Sequence, residues 1–141
     1  MTEVIKIANC SGFYGDNLSI AKKMVEDGPI DVLTGDYLAE LTMTILYNQK
    51  MKRGENLGYV GTFLKQFRDV AKLCDDQKIK IVSNAGGLNP QSMANEIEKI
   101  LAELKTDLKV AYITGDDLMP RMDDLIQLNV PLSMLLKGSF N

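Results

Sequence analysis

Short apolar runs alternate along this chain with longer stretches in which apolar residues recur every three to four positions. The runs are Val4 to Ala8, Ile30 to Thr34, Ile79 to Ser83 and Lys109 to Ile113, each too short for a helix and rich in β-branched residues. Between them the spacing predicts helices. Leu18, Ala21, Met24 and Val25 form one stripe over Asn17 to Asp27, which Gly28-Pro29 stops. Asp36 is placed to cap a helix running to about Lys50, with Leu38, Leu41, Ile45 and Leu46 inward. Tyr59 to Asp75 carries the strongest amphipathic signal, with Val60, Phe63, Leu64, Phe67, Val70, Ala71 and Cys74 on one face. Asn89-Pro90 opens a helix striped by Met93, Ile97, Ile100, Leu101 and Leu104, a cap residue followed by proline at the first helical position. Asp117 caps a last helix through about Leu128, with Pro120 in its first turn, where a missing N–H does little harm.

Strands alternating with helices at this spacing predict a parallel sheet joined by right-handed crossovers. The expected fold is α/β: a Rossmann-like or flavodoxin-like three-layer domain with a parallel sheet of at least four strands. Half of a (β/α)8 barrel is the alternative, since four βα units suit it too. A chain of 141 residues supports one domain with a real core, so residues 1–141 are read as a single unit. The charged stretch Lys50 to Gly58, with two glycines, reads as a surface loop and a candidate lid or interface element. Val130 to Leu136 is apolar and lies close to Asn141. That segment is expected to bury itself against a partner, giving a homo-oligomer or a complex with a partner subunit, or to mark the point where a longer protein has been cut.

Charge and composition narrow the function classes. The net charge is −3 and the lysines are interleaved with acids, so no basic surface for nucleic acid is expected. No run of about 18 apolar residues exists, which argues against a membrane span, and the N-terminus does not read as a secretory signal. Cys10 and Cys74 lack metal-ligand spacing and read as free thiols of a cytoplasmic protein. There is no histidine, which excludes Ser–His–Asp and Cys–His catalysis and His-containing metal sites within this chain. Acid–base work falls to carboxylates, lysines, tyrosines or a thiol.

In a parallel sheet all four strand ends lie on one edge, where α/β proteins place their ligands. The first turn offers Cys10, Ser11, Gly12, Gly15 and Asp16, and its N–H groups could hold a phosphate or carboxylate; it could equally be a tight turn that needs its glycines. It matches neither a dinucleotide fingerprint nor a P-loop. The second turn brings Asp36, Tyr37 and Glu40, and the third brings Asn84, Gly86, Gly87 and Asn89, of which Asn89 also suits a helix cap. The fourth brings Asp116 and Asp117. Asp16, Asp36 and Asp116 are the candidate acid–base groups or ligands of a hard cation such as Mg²⁺, although helix capping is the favoured explanation of Asp36 and Asp117. Cys10, at a strand end near a helix N-terminus, is either a nucleophile or a small buried hydrophobe.

Three strings carry a further signal: Cys10-Ser11-Gly12-Phe13 with Gly15-Asp16, Asp36 through Met43, and Ser83 through Pro90. Together with Gly115-Asp116-Asp117-Leu118 they resemble the acyclic terpene utilisation (AtuA-type) proteins, over nearly all of this chain and over the N-terminal part of that family's longer one. The resemblance implies a role in catabolism of branched acyclic terpenoids or related acids, with a small carboxylate or CoA thioester as ligand. It carries no catalytic residues across. The competing reading from the residues is a non-catalytic nucleotide-binding or assembly module, or a truncated form that needs a partner.

Overall fold

The computed structural model describes residues 4–128, so the apolar segment Val130 to Leu136 lies outside the described residues. The elements are β1 (Ile7–Asn9), α1 (Ile20–Asp27), β2 (Val32–Gly35), α2 (Glu40–Arg53), α3 (Gly61–Gln77), β3 (Lys80–Ser83), α4 (Pro90–Leu104), a 3-10 turn (Met119–Arg121) and α5 (Met122–Gln127). The fold is α/β with a parallel sheet in the order β1-β2-β3. Ile7, Ala8 and Asn9 sit opposite Val32, Leu33 and Thr34, and Leu33 sits opposite Ile81.

The core follows the helix stripes. In α3, Phe63, Phe67, Val70, Ala71 and Cys74 are all buried. Val70 and Cys74 pack with Ala21 and Val25 of α1, with Leu33 and with Ile79. Phe63, Phe67 and Ala71 pack with Met93, Ile97, Ile100 and Leu101 of α4. Each buried Val, Leu, Ile, Phe or Met side chain contributes roughly 1.5–3 kcal/mol, and α3 shares in both clusters. It is the central helix of the layer, with α1 on one flank and α4 on the other.

Several expectations change. The sheet has three paired strands among the described residues. Lys109 to Ile113 has no ladder partner. β2 lies between β1 and β3, whereas a flavodoxin-like order would put β1 in the middle. The order β1-β2-β3 is common to one half of a Rossmann sheet and to a barrel segment. Because α1, α3 and α4 lie side by side, the opposite sheet face is uncovered among the described residues: Ile7 is 65% exposed and Val82 58%. The described residues therefore form two layers rather than three.

The helix boundaries also move. α1 starts at Ile20, three residues later than expected, and leaves Leu18 36% and Met24 37% exposed. α2 is capped by Ala39 rather than Asp36 and extends past Lys50 to Arg53, which shortens the charged loop. Its buried positions are Thr42 and Leu46, while Leu41 is 71% exposed. Asn89 caps α4, its Oδ1 accepting the Ser92 N–H at 3.2 Å.

Candidate functional site

The turns that end the strands are stitched to one another. Beyond the β1–β2 ladder the Cys10 N–H donates to the Thr34 carbonyl at 2.8 Å and the Asp36 N–H donates to the Ser11 carbonyl at 2.9 Å. Between β2 and β3 the Ser83 hydroxyl donates to the Gly35 carbonyl at 3.0 Å. Asn84 then completes the seam. Its Oδ1 accepts the Tyr37 N–H at 2.8 Å and its Nδ2 donates to Asp36 Oδ1 at 2.6 Å. Three of the four expected turns thus share one edge through named bonds.

Asp36 and Tyr37 are adjacent in sequence and point opposite ways. Asp36 is exposed at the seam; Tyr37 is 2% exposed and packs edge-on against Phe63 with ring centroids 5.7 Å apart. The Tyr37 hydroxyl donates to Gln66 Oε1 of α3, and Gln66 Nε2 reaches the Asn17 carbonyl at 3.5 Å. Burial pushes the Tyr37 phenol well above its ordinary range, and the neighbouring Cys10 adds to the rise. Gly35 is required here: a Cβ on it would lie 2.6 Å from the Tyr37 ring. Tyr37 is a core residue with its hydroxyl satisfied inside the protein.

The first turn is folded on itself. Asp16 Oδ2 accepts the Gly12 N–H at 3.1 Å and its Oδ1 accepts the Asn17 N–H at 2.7 Å. Those two N–H groups hold its carboxyl below the ordinary range. The Ser11 side chain is buried and donates to the Phe13 carbonyl at 3.1 Å. Cys10 is buried, and burial raises its thiol pKa. Cys10 packs with Ala21 of α1 and with Val70 and Cys74 of α3, among apolar neighbours. Burial and apolar packing fit the reading of Cys10 as a small buried hydrophobe.

In the third turn the Ala85 N–H donates to Ser83 Oγ at 3.1 Å and the Gly87 N–H to the Asn84 carbonyl at 3.1 Å. Gly86 lies against Pro90, and Gly87, at φ +52°, lies against Leu46 and the Gly58 carbonyl. These glycines serve close packing. Asn89 also ties the loop before α3, its Nδ2 donating to the carbonyls of Glu55 at 2.8 Å and Leu57 at 3.2 Å. Glu40 is an exposed acid in the first turn of α2. Gly15, at φ +98°, has open space around it.

A groove of about 970 Å³ opens beside this edge, between β3, α4 and the segment from Leu108 to Asp116. Met93, Ile97 and Leu101 line it, and Asn84 and Asp116 are also among its walls. Asp117 Oδ1 accepts the Met119 N–H at 3.0 Å just before the 3-10 turn, whereas Arg121 and not Asp117 stands at the N-cap of α5. Asp36 and Asn84 are thus in contact, Asn84 and Asp116 share a groove, and Asp16 is bound within its own turn. Among the described residues no three carboxylate or thiol groups gather to hold a metal ion, so the three aspartates do not form the expected cation site. Nor is any helix of the described residues long and apolar enough to cross a membrane.

Sequence reasoning missed Gln66. It is the one polar residue on the apolar stripe of α3, between Phe63 and Val70, and a polar side chain at a core position signals a buried partner.

Comparison with known proteins gives one family. The family profile described as "Acyclic terpene utilisation family protein AtuA" matches residues 5–138. No curated protein and no solved structure matches the chain.

Proposed function

The chain belongs to the acyclic terpene utilisation (AtuA) family, and on that premise we propose that it binds a small carboxylate or an acyl-CoA at the C-terminal strand edge. It would do so as a cytoplasmic enzyme or enzyme subunit in the breakdown of acyclic terpenoid or other branched acids. The observation that carries this is the Asp36–Asn84 pair: an exposed carboxylate held at 2.6 Å by an amide, at the junction of two strand-end turns and beside the groove. Asp36 is the acid–base group in this reading, positioned by Asn84, with Asp16 and Asp116 as further candidates. Because the Gly12, Ala85 and Gly87 N–H groups are engaged within their own turns, the anion is held by other donors at the edge or after the turns rearrange. The test is a thermal-shift screen of the wild type and Asp36→Asn against CoA thioesters, small carboxylates, nucleotides and divalent ions. Stabilisation follows RT ln(1 + [L]/Kd). A CoA thioester or carboxylate that stabilises the wild type and fails on Asp36→Asn supports the proposal; equal stabilisation of both removes Asp36 from the site.

The bare sheet face favours a second reading, a non-catalytic module that needs a partner. Ile5, Ile7 and Val82 are apolar and exposed, and an uncovered sheet face bearing such side chains suits contact with a partner. Gel filtration over a concentration series separates the two: a monomer that binds a small anion favours the first, and concentration-dependent association without ligand favours the second.

A further inference from the structure

We propose that Lys109 to Ile113 is a strap that closes onto the open edge of β3 as a fourth parallel strand, and that its closure carries the Thr114–Asp117 turn to the edge where Asp36 and Asn84 meet. The proposal is independent of any ligand and is decided without one.

β3 pairs with β2 on one side only. Its Lys80 N–H donates towards β2, to the Asp31 carbonyl at 3.0 Å. Backbone groups alternate in direction along a strand, so the Ile81 N–H and carbonyl point away from β2, towards the groove. No strand lies there among the described residues. An open edge of this kind is a template for another strand.

The rest of a βα unit is already built around that slot. A right-handed crossover from β3 through α4 returns the chain parallel to β3, and α4 already packs on α3 beside it. Met93, Ile97 and Leu101 line the groove that a strand would fill. The segment itself is tethered at one end. After the left-handed Lys105 that closes α4, the Asp107 N–H donates to Asp75 Oδ2 at 3.1 Å, and Leu108 and Val110 pack on the core. The far end is in solvent, Ile113 being 93% exposed. Leu108, Val110 and Tyr112 recur with the period of a strand, the parity that places one face against the helices. At the hinge the Thr106 hydroxyl oxygen is buried without a hydrogen-bond partner, which marks the open arrangement as incompletely satisfied.

Closure beside β3 extends the order to four strands without a reversal. The sheet is then wound in one direction, as in a barrel segment, rather than doubly wound with its next strand beside β1.

The experiment is amide hydrogen exchange by NMR on the full chain, with Leu33 of β2 as internal reference. Closure predicts that Ile81 and alternate amides within Lys109–Ile113 exchange on the order of 100-fold or more slowly than unstructured chain. An edge strand bonds inward through alternate residues, so of Ala111→Pro and Tyr112→Pro at least one speeds Ile81 exchange by about tenfold or more while Leu33 stays protected. Unstructured rates at both Ile81 and the strap, with Leu33 protected, overturn the proposal. So does Ile81 protection that neither proline variant disturbs, since another element then covers the edge. If a variant also loses Leu33 protection, the wild-type pattern alone decides.

Discussion

Asn84 accepts the backbone N–H of Tyr37 at 2.8 Å across 47 residues of chain. The same side chain donates to Asp36, so one amide holds the buried half and the exposed half of the second turn. That division separates what the turn does for the fold from what it can do for a ligand.

Replacing the two partners should therefore have unequal effects. Asn84→Ala leaves the Tyr37 N–H without its acceptor and costs about 1–3 kcal/mol, a fall of several degrees in Tm. Asp36→Asn alters an exposed group and should stay within about 0.5 kcal/mol. Urea denaturation of both variants checks this; equal stabilities would mean that the amide contributes nothing to the seam.

The glycines divide in the same way. Gly87→Ala places a methyl against Leu46 and 2.8 Å from the Gly58 carbonyl oxygen, at a positive φ, and should destabilise by about 1–3 kcal/mol. Gly12 has no heavy atom within 4 Å of the corresponding position, so Gly12→Ala should change stability by less than about 0.5 kcal/mol. Gly12→Ala is thus the cleaner probe of ligand approach to the first turn. Denaturation midpoints rank the pair.

Both cysteines are buried, with thiols raised by burial. At neutral pH the folded protein should react with a disulfide reagent such as Ellman's on the order of 100-fold or more slowly than the unfolded chain. A single fast thiol in the folded protein, mapped to Cys10 by peptide mass, would restore the nucleophile reading.

Stability should fall on the alkaline side. Burial raises the Cys74 thiol from 9.0 to about 11, and the Tyr37 phenol is raised further. The unfolded chain releases these protons first, so the folded state holds more protons and stability decreases as pH rises. The contribution is intact below about pH 9 and disappears as pH climbs through about 11, worth about 2–3 kcal/mol for Cys74. A denaturation midpoint that stays level between pH 8 and 10.5 would contradict the burial of these groups.

Much of the helical layer was legible because burial there follows a single period. The stripes of α3 and α4 were read almost residue for residue. α2 was not, because Leu41 fits the pattern and yet faces solvent, while Thr42 next to it is buried. The strand-end turns were recognised by their glycines and small polar residues, but composition does not say which way a side chain points. Asp36 and Tyr37 go to opposite sides, and the reactive reading of Cys10 did not anticipate that its side chain is buried. Pairing of the fourth run is a long-range property, and its β-branched residues fix only an extended conformation.

Gln66 touches the Tyr37 hydroxyl with its oxygen and the Asn17 carbonyl with its nitrogen. The loops that follow β1 and β2 are therefore linked mechanically through the interior as well as along the rim. One amide seated on the middle helix ties the two loops together from the inside.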